Sequence, residues 1–151
     1  VAAILLTLTF AAPGFAQTAD PHSGTWVLNV NKSKYTPGPP PKEQSSLYAV
    51  DGQSLTVSTK GTSADGTPLT TDFTAMLDGK DHLVKGNPDW DHVSVRRVDS
   101  HTLEFTRKQA GKVVQTSTSV VSKDGKTRTI STSGVNAQGQ KIHTVGVYEK
   151  K

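Results

Sequence analysis

The chain contains no cysteine. That excludes a disulfide framework, a thiolate zinc site and a cysteine nucleophile. Aromatic residues make up only 6% and hydrophobic residues 33% of the 151 residues. Charged residues are also sparse, at 20%, and the apolar ones fall in short regular runs, so the composition is not that of a disordered chain. The net charge is a modest +4. Its basic residues are scattered: Lys32 and Lys34 flank Ser33, Arg96-Arg97 is a pair, and Lys150-Lys151 ends the chain. Without a basic run of five or more, no nucleic-acid footprint is expected. No segment keeps a helical hydrophobic period over ten residues. There is no Gly-x-Ser-x-Gly elbow, no glycine-rich phosphate loop and no His-Glu-x-x-His, so the chain is read as non-catalytic. The 13 Asp and Glu residues mostly flank turns, and no pair among them stands out for acid–base work.

What is abundant is hydroxyl: 34 of the 151 residues are Ser or Thr. Thr favours half-exposed pleated strands, and both residues compete with the backbone inside helices. The length suits one domain. Val1 to Phe10 is nearly all apolar and runs into the small residues up to Ala16. This reads as a secretory signal peptide over 1–16, truncated at its start, with Gly14 and Ala16 at the −3 and −1 positions of the cut. The segment is shorter than the roughly 20 apolar residues of a membrane span. A buried N-terminal strand is the alternative. Residues 17–151 are then expected as a single exported domain, periplasmic or secreted and monomeric, with no transmembrane span.

Turn signals divide this domain. Asp-Gly occurs at 51–52, 65–66, 78–79 and 124–125, and such pairs suit the two positive φ angles of a type I′ hairpin. Weaker turns fall at Ala110-Gly111, Gln138-Gly139 and Asp99-Ser100. Strands are expected at 25–30, 44–50, 53–60, 67–77, 82–86, 92–98, 101–109, 112–122, 126–133 and 140–149. Several alternate with period two: Leu55 and Val57 oppose Ser54, Thr56 and Ser58, and Leu103 and Phe105 oppose Thr102, Glu104 and Thr106. One buried and one wet face per strand is the antiparallel pattern. The expected fold is all-β, an up-and-down meander of about ten strands that closes into a barrel and so removes its edges. A two-sheet sandwich is the alternative. Residues 31–42 include Thr36-Pro-Gly-Pro-Pro-Pro41 and read as a stiff Pro-rich loop without helix.

The stretch Ser23-Gly24-Thr25-Trp26-Val27-Leu28-Asn29 resembles the Gly-x-Trp opening of lipocalins and other calycins. In those barrels the Trp plugs the closed end, so the resemblance implies structural roles for Gly24 and Trp26. Together with Lys32-Ser-Lys34, Ser122 to Thr132, Gly134, Ala137-Gln-Gly139 and Val147-Tyr-Glu-Lys150, it is also similar to small exported bacterial lipocalin-like proteins whose function is not established. The likeness spans most of residues 17–151. It implies binding of a small apolar or amphipathic molecule. Ten strands resemble the intracellular lipid-binding branch, or the haem-binding nitrobindin branch, more than eight-stranded lipocalins. By analogy with nitrobindins, His143 becomes a candidate haem ligand; otherwise no cofactor is expected. The chain departs from the lipid binders in two ways. The Pro-rich loop stands where they carry a helical lid, and their paired Arg-x-Tyr is missing from the last strand. Ligand identity is therefore not carried over.

Parity supplies the candidate site. Arg97 follows Val93 and Val95, Arg107 follows Leu103 and Phe105, Arg128 precedes Ile130, and Tyr148 shares parity with Ile142. All four can turn inward, where a guanidinium needs an anion. Arg97, Arg107, Arg128 and Tyr148, with Phe73 and Phe105 as apolar lining, are candidate ligand-binding residues for a carboxylate held by charge-assisted hydrogen bonds. The alternative places these groups at strand ends, reaching water or closing the base against Trp26. The cluster Asp89-Trp90-Asp91-His92, with His82 and His101, fits no zinc spacing and reads as a polar turn whose Trp packs on the barrel rim. No metal site is expected. The competing functional reading is an envelope or interaction module whose barrel is filled by its own side chains.

Overall fold

The computed structural model describes residues 19–151; the signal-peptide reading of 1–16 lies outside them. Regular structure is β throughout, apart from one 3₁₀ turn. In chain order the strands are β1 (Gly24–Leu28), β2 (Lys34–Thr36), β3 (Glu43–Asp51), β4 (Ser54–Thr62), β5 (Pro68–Met76), β6 (Asp78–Lys85), β7 (His92–Arg97), β8 (Thr102–Gln109), β9 (Lys112–Val121), β10 (Thr127–Val135) and β11 (Lys141–Lys150). From β3 to β11 each strand pairs antiparallel with the next, and β1 bridges β3 and β11. Ten strands thus close into an up-and-down barrel, and the sandwich alternative falls.

The eleventh strand corrects the expectation that 31–42 is a stiff Pro-rich loop throughout. β1 ends at Leu28, the 3₁₀ turn Val30–Lys32 steps the chain aside, and β2 then pairs with β11 at Tyr35↔Thr144. β1 and β2 occupy the same slot in the wall, interrupted by the turn. Asn29 caps that turn by accepting from the Lys32 N–H at 3.1 Å. The Ser33 hydroxyl donates to Asn29 O and accepts from Val147 N–H, which rivets the step to β11. Three residues are too few for a period to show in sequence.

The Asp-Gly turns depart from the type I′ expectation. Each glycine has positive φ, but none of the four aspartates does. Asp65, Asp78 and Asp124 instead accept from the backbone N–H two residues on, at 2.9, 3.0 and 3.0 Å. The carboxylate holds the turn, and glycine alone enters the left-handed region. The pair with positive φ at both positions is Ala110-Gly111, at 47° and 78°. β6 also begins earlier than expected, at Asp78, through an irregularity between Asp78 and Asp81.

Alternation directs Leu55 and Val57, Phe73 and Ala75, Val93 and Val95, and Leu103 and Phe105 into the middle, all buried. Each of these Leu, Val and Phe side chains contributes about 1.5–3 kcal/mol relative to an exposed one. The opposite faces carry Thr, Ser and charge. One seam is thin: β5 and β6 register only at Asp72↔Lys85 and Phe73↔Val84.

Candidate functional site

The barrel has two unlike ends. The base gathers the segment before β1 and the turns after β3, β5, β7 and β9. The mouth carries loops 63–67, 86–91, 110–111 and 136–140, together with residues 37–42.

At the base Trp26 is fully buried, and its indole N–H donates to His22 O at 2.9 Å. Lys150 Nζ stands 4.9 Å from the centre of the indole ring and donates to Pro21 O. Gly24 lies at φ 127°, and a Cβ there would come within 3.0 Å of Lys150 Cε, so glycine admits the lysine stem. Arg97 belongs to this end. It pairs with Asp20 at 2.6 Å and fastens the entering chain to β7. It stands apart from Arg107 and Arg128, and the structural alternative describes it. His22 is also fully buried, with neither ring nitrogen partnered. Burial, then the charge of Arg128, lowers its pKa from the usual 6.5 to about 4.

The interior brings five of the six candidate ligand residues together along one axis. Arg128 is fully buried above Trp26, its guanidinium carbon 3.6 Å from the Tyr48 ring centre and 5.7 Å from that of Trp26. Its Nε donates to Ser119 Oγ at 2.6 Å, while Nη1 and Nη2 have no protein partner. Tyr148 is buried over Gly146, where a Cβ would fall 2.8 Å from its ring, and its hydroxyl accepts from Gln44 Nε2 at 3.2 Å. Burial pushes the Tyr148 phenol well above its usual pKa. Nearer the mouth, Arg107 Nη1 donates to Ser117 Oγ, and its covered Nε has no partner. Its guanidinium carbon lies 4.9 Å from the Trp90 ring centre and 5.7 Å from that of Phe105. Trp90 meets Phe73 edge-on, with centroids 6.2 Å apart.

The decisive electrostatic fact is an imbalance. Among the described residues no Asp or Glu is buried, and neither Arg107 nor Arg128 forms an ion pair. Burial lowers both guanidinium pKa values, with the Tyr48 and Tyr148 phenols opposing the shift. An arginine nevertheless remains charged. The walls divide the lining. The buried residues of β4, β5, β7 and β8 are all hydrocarbon, whereas β3, β9 and β10 present Ser46, Tyr48, Gln115, Ser117, Ser119 and Thr132, all buried. Ser117 pairs with Thr132 within this polar wall at 2.7 Å, and Ser46 reaches Thr59 of β4 at 2.8 Å.

His143 lies on the outer wall, exposed, with Nδ1 3.0 Å from Ser133 Oγ. Its strand parity turns it away from Tyr148 and the barrel interior. The acidic cluster is absorbed by backbone contacts. Asp89 accepts from Ala137 N–H and Asp91 from Ala110 N–H, while Asp91 Oδ1 is 2.8 Å from His92 Nδ1. Two surface concavities, of about 280 and 350 Å³, are lined mainly by outward-facing residues. The first follows Thr56, Asp72, Leu83 and Lys85; the second follows Val27, Asn29 and Glu149. Sequence reasoning missed Tyr48, whose parity with Val50 was legible. It also missed His22, which precedes any strand and gave no signal.

Two solved structures set this geometry in context. The chain is similar to Rv2717c from M. tuberculosis at 16% identity, with a TM-score of 0.54 and an alignment covering 87% of this chain and 93% of that one. It is similar to the zebrafish ileal bile acid-binding protein complexed with cholic acid at 14% identity, with a TM-score of 0.52 and coverage of 87% and 99%. No family model and no curated protein sequence matches. At these identities the likeness defines a fold: a closed, lipocalin-like antiparallel β-barrel.

Proposed function

We propose that this barrel binds a small amphipathic anion, most simply a carboxylate, in its interior and performs no chemistry on it. The observation that carries the reading is the pair Arg128, fully buried, and Arg107, partly buried with its Nε covered, with no buried carboxylate among the described residues. Leaving a charge unpaired inside a protein costs several kcal/mol, and an anionic ligand offsets that cost. The hydrocarbon wall of β4, β5, β7 and β8 suits the apolar part of such a molecule, and Tyr48 and Tyr148 stand ready to donate to its head group. The zebrafish neighbour's complex with cholic acid fits this class. The apolar segment 1–16 supports export, for which the mass of the mature chain, beginning at Gln17, is the test.

A second reading, a barrel filled by its own side chains and acting as an envelope module, is favoured by one observation: the large side chains of Trp26, Arg128, Leu55 and Leu103 are fully buried in the interior. Displacement of anilinonaphthalene sulfonate separates the two. Binding predicts displacement by oleate or cholate, weakened at least tenfold in Arg107→Met. A filled module predicts no specific dye binding and no effect of the substitution.

A further inference from the structure

We propose that Trp90 is a displaceable stopper: loop 86–91 straps the barrel mouth, and an entering anion takes the place of the indole over Arg107. This rests on the binding reading above and adds to it the residue that controls access. Trp90 is 7% exposed, so it belongs to the interior, yet it sits on a loop. The other buried aromatic residues, Trp26, Tyr48, Phe73, Phe105 and Tyr148, are locked in strands. Among the described residues Trp90 is therefore the one buried Phe, Tyr or Trp ring that can leave without breaking a ladder. Its partners are those a ligand needs: the Phe73 ring and the Arg107 guanidinium. A cation over an indole face is a modest attraction, and a carboxylate that pairs with the guanidinium outcompetes it.

The loop is built to swing. Its roots are fixed, by Val84 N–H to Asp91 O and Asp91 N–H to Lys108 O, both 2.9 Å, and by Asp91 Oδ2 accepting from Ala110 N–H. Between the roots, Gly86 takes φ 81°. Asn87 Nδ2 donates to Thr71 Oγ1 at 3.1 Å on the β5 side. Across the mouth, Asp89 Oδ1 accepts from Ala137 N–H at 2.8 Å, joining the strap to the β10–β11 loop. That contact is exposed, so opening it costs little. The carboxylate at 89 thus acts as a clasp, and the sequence run Asp89-Trp90-Asp91 becomes clasp, stopper and root.

The two tryptophans of the chain make the test direct. Protein carrying 5-fluorotryptophan gives two ¹⁹F resonances, with that of Trp90 assigned by Trp90→Phe. Oleate binding is followed in parallel by calorimetry. The stopper predicts that oleate moves the Trp90 resonance to a solvent-exposed position, marked by an H₂O/D₂O isotope shift, and leaves that of Trp26 in place. It also predicts that Asp89→Ala speeds oleate entry in stopped flow about threefold or more. Calorimetric binding with the Trp90 resonance unmoved, or with unchanged entry in Asp89→Ala, overturns the stopper and leaves the binding reading standing. Absence of calorimetric binding by both oleate and cholate overturns the binding reading and the stopper with it.

Discussion

Replacing Arg128 with Met separates a charge kept for a ligand from a charge kept for the fold. The substitution removes a fully buried cation and retains most of its length and volume. Three losses follow. The stacking on Tyr48, 3.6 Å from ring centre to guanidinium carbon, is worth about 2 kcal/mol for a desolvated pair. The 2.6 Å hydrogen bond to Ser119 contributes about 1.5–3 kcal/mol. The Ser119 hydroxyl is then left buried, at a further ~1 kcal/mol or more. Against these stands relief of an ion whose effective burial penalty is several kcal/mol and whose Nη1 and Nη2 have no partner. The terms nearly cancel, so ligand-free Arg128→Met should unfold within about 2 kcal/mol of wild type, on either side. Urea unfolding at pH 7, followed by circular dichroism, measures this. Anion binding by the same variant should fall at least tenfold. A loss of more than about 4 kcal/mol with binding intact would refute the reasoning and make Arg128 a structural keystone.

Arg97→Ala should leave oleate affinity within twofold of wild type, because its guanidinium is engaged with Asp20 at the base; a double-mutant cycle with Asp20→Asn should return about 1 kcal/mol or less. Trp26→Ala should destabilise by about 3–5 kcal/mol through the cavity it leaves, measured by the same urea titration. His22 provides a pH signature. Its folded pKa, about 4, lies below the ordinary 6.5, so the unfolded chain takes up the proton first. Stability is therefore unaffected above pH 6.5 and declines as pH falls from there towards 4, by at most about 3 kcal/mol. His22→Phe should flatten that limb of the stability–pH curve; an unchanged slope would show that His22 is not its source. Tyr148 should stay un-ionised in alkaline ultraviolet titration past the range of an exposed phenol, since burial raises its pKa.

The barrel was legible because its signals are local. Alternation in Leu55-Thr56-Val57 or Leu103-Glu104-Phe105 depends on nothing beyond a pleated strand, and the turns are marked by Asp and Gly. β2 was not legible, because three residues carry no period and its pairing with β11 depends on where β1 stops. The turn geometry was misjudged for a similar reason: a carboxylate at 65 or 124 competes for the backbone, and Asp-Gly alone does not reveal which group wins. The site was half legible. Parity placed Arg107, Arg128 and Tyr148 inside. It placed Arg97 there too, but parity cannot register that Asp20, seventy-seven residues earlier, meets it at the base. Trp90 belongs to no strand, so no periodicity could bring it into the interior. Only the contacts of its loop with Thr71, Ala110 and Ala137 do that.

Ligand binding by this barrel rests on the charge within it, and calorimetry can address that charge alone. Oleate and oleyl alcohol share a chain and differ in the head group. The wild type should bind oleate at least tenfold more tightly, and the double variant Arg107→Met/Arg128→Met should lose that preference while remaining folded. Equal affinity of the wild type for the acid and the alcohol, or a preference that survives in the double variant, would contradict the account.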